Sequence, residues 1–337
     1  MNFLLMEMTH LRYWMPLVIE GNKRGIQSTF YVGPSHKYNC PSRHHSLLNK
    51  LSEEHSINIL PVNAIPNAEG LLFSSEKTGI KLVDQAKDTK KIVCTYQTDF
   101  IESYKNYIDV ADHVLMPSKF CAENYGLTSK KNLFLGIPKY DSELNKEDIL
   151  HKYSISKDGR KALIIWPKGR DEGKVNMDVL LTSLKKMGFT LLVKTRGKDP
   201  LTSLAQETLK KSEDFYFEDN SWHPHTTQEL LEISDVAINF GSTTIEECVM
   251  QNVPLINFDI KPEVRNGSKR PYRVTHDYLY NYDYCLQMNQ KFVEKEMFAA
   301  VHYLINSTHL DREFKKARQN HLFDHKDSCK KILDVLL

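Results

Sequence analysis

A Gly-Ser-Thr-Thr turn with two carboxylates behind it is the densest patch of usable chemistry in this 337-residue chain. Gly241, Ser242, Thr243 and Thr244 follow the apolar run Val236 to Phe240, and Ile245, Cys248 and Val249 then recur at helical spacing. The pattern reads as strand, turn and helix start, with Ser242 or Thr243 as N-cap and Glu246 and Glu247 where capping-box carboxylates belong. A helix start leaves backbone N–H groups free at the positive end of the helix dipole, a place for a phosphate. Most strand–turn–helix units bind nothing, so that reading needs partners. Cations supply them. Lys168 and Arg170 follow the apolar run Lys161 to Trp166, and Lys194 and Arg196 follow Thr190 to Val193. Beside a helix N-terminus such cations stabilise a departing diphosphate without a metal ion; the alternative is that they are solvated loop charges.

Two residues of the first half are candidates for a general base. His10 lies just past the apolar run Asn2 to Met6, where open α/β sheets put their ligands, and an imidazole takes a proton near neutral pH. The competing role is a helix-entry residue facing solvent. Asp99, in Tyr96-Gln-Thr-Asp-Phe100, also follows an apolar run, with N-cap of the next helix as its other reading.

The elements that must position these groups alternate along the whole chain. Strands are predicted at 2–6, 27–32, 57–61, 71–74, 91–95, 113–116 and 132–135, with helices at 10–24, 44–55, 78–87, 100–110 and 118–124 between them. A second series follows a polar stretch near residue 155. A helix at 142–151 precedes that stretch; the later strands are 161–166, 190–193, 215–217, 236–240 and 255–258, with helices at 175–186, 201–211 and 227–233. Later helices are expected at 292–305 and 310–319, and the tyrosine-rich run 278–284 reads as half-buried strand. Such alternation makes parallel sheets, hence an α/β chain of two Rossmann-like domains. The expected division is 1–150, 151–310 and closing helices over 311–337.

Composition narrows the function. Hydrophobic residues make up 41%, charged residues 26% and the net charge is +2, which disfavours a dedicated nucleic-acid binder. The six cysteines are dispersed and form no CxxC pair, as expected for reduced core residues in the cytoplasm. Met1 to Met8 has no basic start, and no stretch approaches the roughly 20 apolar residues of a membrane span. There is no D-x-D, no dinucleotide fingerprint and no Walker A sequence. His223 and His225 have no third ligand nearby in sequence, so no metal site is expected.

Gly241-Ser-Thr-Thr-Ile-Glu-Glu247 resembles the donor-nucleotide motif of glycosyltransferases with the two-domain GT-B fold. Similar motifs occur in non-hydrolysing UDP-GlcNAc 2-epimerases and CDP-glycerol glycerophosphotransferases. Gly136-Ile-Pro-Lys-Tyr-Asp141 resembles the G-N-P-x-x-D link leaving the first domain, and Lys194-Thr-Arg196 the K-x-H-P segment of the glycerophosphotransferase group. Thr9-His10 stands where many GT-B enzymes have Gly-His. The resemblance implies two domains facing across a cleft, a turn at Gly241–Thr244 on the pyrophosphate and Glu247 on the ribose hydroxyls. It implies a metal-independent glycosyltransferase of surface polysaccharide synthesis, with a nucleotide-sugar as substrate, no separate cofactor, and a glycan or lipid-linked acceptor. The place implied is the cytoplasm, with peripheral membrane contact open. The epimerases carry His-x-Glu-Ala-Gly and the glycerophosphotransferases a His-Gly pair in the first domain; this chain has neither. A non-catalytic binding module is the alternative of another class.

Overall fold

The computed structural model describes residues 1–33, 41–75, 80–95, 108–167, 173–195, 201–218, 222–258 and 274–337. The chain divides into two compact units, one built around Met1–Ser142 and Asn320–Leu337, the other around Glu143–Pro271 and His276–Gln319.

In the first unit the described residues form seven parallel strands: β1 Asn2–Leu5, β2 Ser28–Val32, β3 Ile57–Pro61, β4 Gly70–Ser75, β5 Thr89–Cys94, β6 His113–Leu115 and β7 Asn132–Leu133. Their order is β3-β2-β1-β4-β5-β6-β7. β1 is buried at every position, as an apolar run in the middle of a covered parallel sheet must be. Phe3 stacks on Phe73 of β4 at 5.1 Å and meets Trp14 of the Leu11–Lys23 helix at 5.6 Å. The Trp14 indole donates to the Leu4 carbonyl at 3.1 Å, so helix and strand are tied by a buried polar bond as well as by packing. Gly25 stops the helix at φ 72°, a left-handed turn that lets Ile26 N–H return to the Gly21 carbonyl at 3.0 Å.

The C-terminal Ser328–Leu336 helix belongs to this unit, with Cys329, Ile332, Leu333 and Leu336 buried. Asp334 pairs with Arg24 at 2.7 Å, and the Cys329 N–H donates to the Asp141 carboxylate. Burial pushes the Asp141 carboxyl above its ordinary range, and the hydrogen bonds from Cys329 and Ser328 partly oppose that.

In the second unit the described residues form six parallel strands: β8 Arg160–Ile165, β9 Phe189–Lys194, β10 Phe215–Phe217, β11 Val236–Asn239, β12 Leu255–Phe258 and β13 Cys285–Met288, in the order β10-β9-β8-β11-β12-β13. Three aspartates just ahead of a strand clamp their neighbours at the amino edge. Asp112 accepts from Lys91 N–H (2.7 Å), Asp214 from Leu191 N–H (2.8 Å) and Asp235 from Lys161 N–H (2.7 Å). Asp235 is exposed, so Asp235→Ala is expected to cost only about 1 kcal/mol, or roughly 3 °C in Tm, while Asp235→Asn retains an acceptor and most of that stability. Paired thermal melts of the two variants check this.

Each sheet reverses direction once. After β1, β2 and β3 step one way, the chain returns to place β4 on the other side of β1, and β11 does the same beside β8. The β1/β4 and β8/β11 junctions are therefore topological switch points, where the crevice at the carboxyl edge takes ligands.

The helix expected at 100–110 lies mostly outside the described residues, the strand expected at 132–135 is shorter, and two other predicted elements differ in ways the structure explains. The helix expected at 142–151 runs Lys146–Lys152, because the Asn145 side chain caps it, accepting from Glu147 N–H (2.8 Å) and Asp148 N–H (3.2 Å). The tyrosine run is not strand: a Val274–Leu279 helix and a turn precede β13, whose alternating Cys-Leu-Gln-Met pattern the tyrosines masked.

Candidate functional site

The Gly241–Thr244 turn leaves β11 at the second sheet's switch point. Gly241 sits at φ 57°, a conformation that favours glycine. The helix runs Thr244–Gln251 with Thr243 at the N-cap, and no side chain caps it there. Instead the Ser242 and Thr244 hydroxyls bond each other at 3.2 Å.

The turn's N–H groups are not all open, as the sequence had suggested. Gly241 N–H donates to Asn257 Oδ1 at 3.0 Å and Ser242 N–H to Asn239 Oδ1 at 3.3 Å. Ile245 and Glu246 N–H turn back to the Ser242 and Thr243 carbonyls at 3.4 and 3.0 Å. Thr244 N–H has only a long contact to Ser242 Oγ, 3.5 Å, and Thr243 is half-buried. The least occupied donors of the turn are therefore those of Thr243 and of the buried Thr244, while Gly241 and Ser242 shape the turn.

Glu247 lies one helical turn behind Thr243, on the same face, and is 5% exposed; Glu246 is 1% exposed. Burial, then the nearby Glu247 carboxylate, pushes the Cys248 thiol well above its ordinary range, so that cysteine is core and not a nucleophile. Lys194 ends β9, in register with Ile165 of β8, whose other neighbour is β11. It thus stands on the same carboxyl edge as Asn239, two strands or about 10 Å away along the sheet. Its ammonium is buried and donates to the Thr195 carbonyl at 3.1 Å. Lys168, Arg170 and Arg196 lie outside the described residues.

In the first unit His10 follows β1, the switch-point strand, through a short Met8–His10 turn. It is 1% exposed, which removes the solvent-facing reading, and its side chain makes no helix-cap hydrogen bond. Its ring lies 6.0 Å from that of Trp14, tilted by 56°. Thr9 beside it donates to Glu7 at 3.3 Å. Asp99 lies outside the described residues.

Three residues that shape the turn were missed in the sequence: Asn239, Asn257 and Tyr280. Asn239 is the last residue of β11 and Asn257 the last but one of β12, so they pass for incidental polar residues; an amide near the carboxyl end of each of two adjacent buried strands was the available signal. Tyr280 was visible only as one of several tyrosines. Among the described residues no three His, Cys, Asp or Glu side chains group to hold a metal ion.

No family model matches the sequence, and no curated protein does. Solved structures do match. A putative UDP-N-acetylglucosamine 2-epimerase from Listeria monocytogenes superposes with a TM-score of 0.63 at 13% identity, covering 98% of this chain and 94% of that one. The wall teichoic acid polymerase TagF, soaked with CDPG, gives 0.66 at 13% identity, over 99% and 87%. An S. aureus MnaA–UDP co-structure gives 0.56 at 12% identity, over 98% and 94%.

This chain has the GT-B fold. The two Rossmann-like sheets anticipated from alternating strands and helices are both present, and the likeness runs over nearly its whole length. At such identities the likeness speaks to fold alone.

Proposed function

We propose that this chain is a metal-independent glycosyltransferase that moves a sugar from a nucleoside-diphosphate donor to a hydroxyl of a glycan or lipid-linked acceptor. The observation carrying this is the Thr243–Thr244 helix start at the second sheet's switch point, with the buried Glu247 carboxylate one turn behind it. Phosphate oxygens accept from the Thr243 and Thr244 N–H groups, and Glu247 accepts from the ribose hydroxyls. In the transfer, the anomeric carbon exchanges its bond to the diphosphate oxygen for one to the acceptor oxygen. The acceptor's proton passes to a base, His10 or else Asp99, and the leaving diphosphate's charge is met by the helix dipole with Lys194, Lys168, Arg170 and Arg196. The nucleotide is substrate, and the reading calls for no separate cofactor. It sets the reaction in the cytoplasm, where the described cysteines stay reduced, with peripheral membrane contact for a lipid-linked acceptor. No helix among the described residues is long and apolar enough to cross a membrane.

A second reading, C2 epimerisation of a nucleotide sugar, is favoured by the epimerase among the structural neighbours. Against it stands the missing His-x-Glu-Ala-Gly segment. Incubation with a panel of nucleotide sugars and acceptors separates the two, since transfer liberates nucleoside diphosphate and epimerisation inverts C2 without liberating it. Binding with neither product would instead mark a non-catalytic module.

Glu247→Ala is expected to weaken nucleotide binding by about 10- to 100-fold, the range for losing a charged hydrogen-bond acceptor. Titration of the variant checks this, and an unaltered affinity would remove Glu247 from the site.

A further inference from the structure

Asn239, Asn257 and Gln287 occupy one level of three adjacent strands, β11, β12 and β13, in strict register. Their side-chain amides form a relay along the carboxyl edge. Asn257 Nδ2 donates to Gln287 Oε1 at 2.9 Å, and Asn239 Nδ2 donates to Asn257 Oδ1 at 3.0 Å. The orientation of the Asn257 and Asn239 amides is forced. Gly241 N–H can only donate, so the side-chain oxygen of Asn257 faces it; the Ser242 carbonyl can only accept, so Nδ2 of Asn239 faces it, at 3.3 Å. Tyr280 closes the ring. Its hydroxyl donates to the Ser242 carbonyl at 3.1 Å and lies 3.2 Å from Asn239 Nδ2, whose two hydrogens are shared among Asn257 Oδ1, the Ser242 carbonyl and this hydroxyl.

Asn239 is fully buried and Asn257 is 2% exposed. Buried amides are costly unless satisfied, and leucine or valine would pack as well at strand ends. What the amides do here is consume the first two N–H groups of the turn and hold its carbonyl. Without them Gly241 and Ser242 would present their own donors to whatever binds.

We propose that Asn257 and Asn239, braced by Tyr280, are positioning residues of the donor turn. They narrow it to the N–H groups of Thr243 and Thr244 with the Thr243 hydroxyl, a set that fits a single phosphoryl group. This rests on the reading of the turn as a phosphate site. Asn257 is the informative position. Aspartate there has the same shape and still accepts from Gly241 N–H and Asn239 Nδ2, while Gln287, exposed, can reverse its amide to donate. The geometry survives and a neutral group beside the phosphate becomes an anion.

Isothermal titration of the full chain, Asn257→Asp and Tyr280→Phe with UDP, GDP, CDP and ADP, each beside its parent nucleoside, tests this. Asn257→Asp is expected to lose tenfold or more for the bound diphosphate and less than twofold for the nucleoside, with an unchanged circular dichroism spectrum. Tyr280→Phe shows the same selectivity at about threefold, and decides the matter if Asn257→Asp does not fold. Diphosphate affinities equal to wild type in both variants overturn the positioning role and leave the phosphate site standing. Equal losses for nucleoside and diphosphate reduce the relay to fold support and overturn it too. Should the unaltered chain bind none of the four diphosphates, the phosphate site itself falls and the proposal with it.

Discussion

His10→Gln should lower turnover by about 100- to 10,000-fold while leaving nucleotide affinity within twofold, the range lost with a positioned general base. The expectation follows from where the imidazole sits. It leaves β1 at the first sheet's switch point, and its burial keeps it from serving as a solvated surface charge. Glutamine keeps the approximate size and some hydrogen bonding but cannot take a proton. If His10 only packs against Trp14, the variant loses stability and retains turnover within about threefold. Steady-state rates with melting curves for His10→Gln and Asp99→Asn separate these cases. A large rate loss confined to Asp99→Asn would transfer the base to that residue.

Ending the chain after Asp327 is expected to unfold the first unit and spare the second. The lost Ser328–Leu336 helix buries Ile332, Leu333 and Leu336 together with Cys329. At roughly 1.5–3 kcal/mol for each large aliphatic side chain, the three alone supply about 5–9 kcal/mol, as much as the entire net stability of many domains. Polar ties go with them. Asp141 loses the Cys329 N–H that offsets its burial, Arg24 loses Asp334, and Lys90 loses the Leu336 carbonyl at 3.4 Å. Hydrogen exchange reads the two units separately: amides of β1 and β5 should exchange freely in the shortened chain while those of β8 and β11 stay protected. Retained protection in both sheets would mean the helix is dispensable.

Much of the fold was legible because parallel strands covered on both faces are short apolar runs, and Gly25 and Ser118 mark helix ends that the structure uses. Gly25 takes the left-handed turn and Ser118 Oγ accepts from Cys121 N–H at 3.1 Å, whereas the Thr202 cap, its Oγ1 accepting from Ala205 N–H at 3.2 Å, starts at Ser203 a helix expected from 201. The turn at Gly241 was legible for the same reason, since glycine carries its conformation with it; the burial of Glu247 was not, because the sequence places that carboxylate in a capping box the helix does not form. Strand order was not. Nothing in Val236–Asn239 says that it lies beside β8, yet that adjacency makes its turn a switch point. The occupied N–H groups of Gly241 and Ser242 were equally invisible, because the amides that fill them come partly from Asn257 on another strand, 16 residues on. Hydrogen bonds between separate elements are set by register, which local patterning does not carry.

A crystal soaked with the best-bound nucleoside diphosphate tests the phosphate site most directly. The expected density puts phosphate oxygens within hydrogen-bond distance of Thr243 and Thr244 N–H, and the ribose hydroxyls on Glu247. Density for the nucleotide elsewhere, with those N–H groups facing only solvent, would contradict the account.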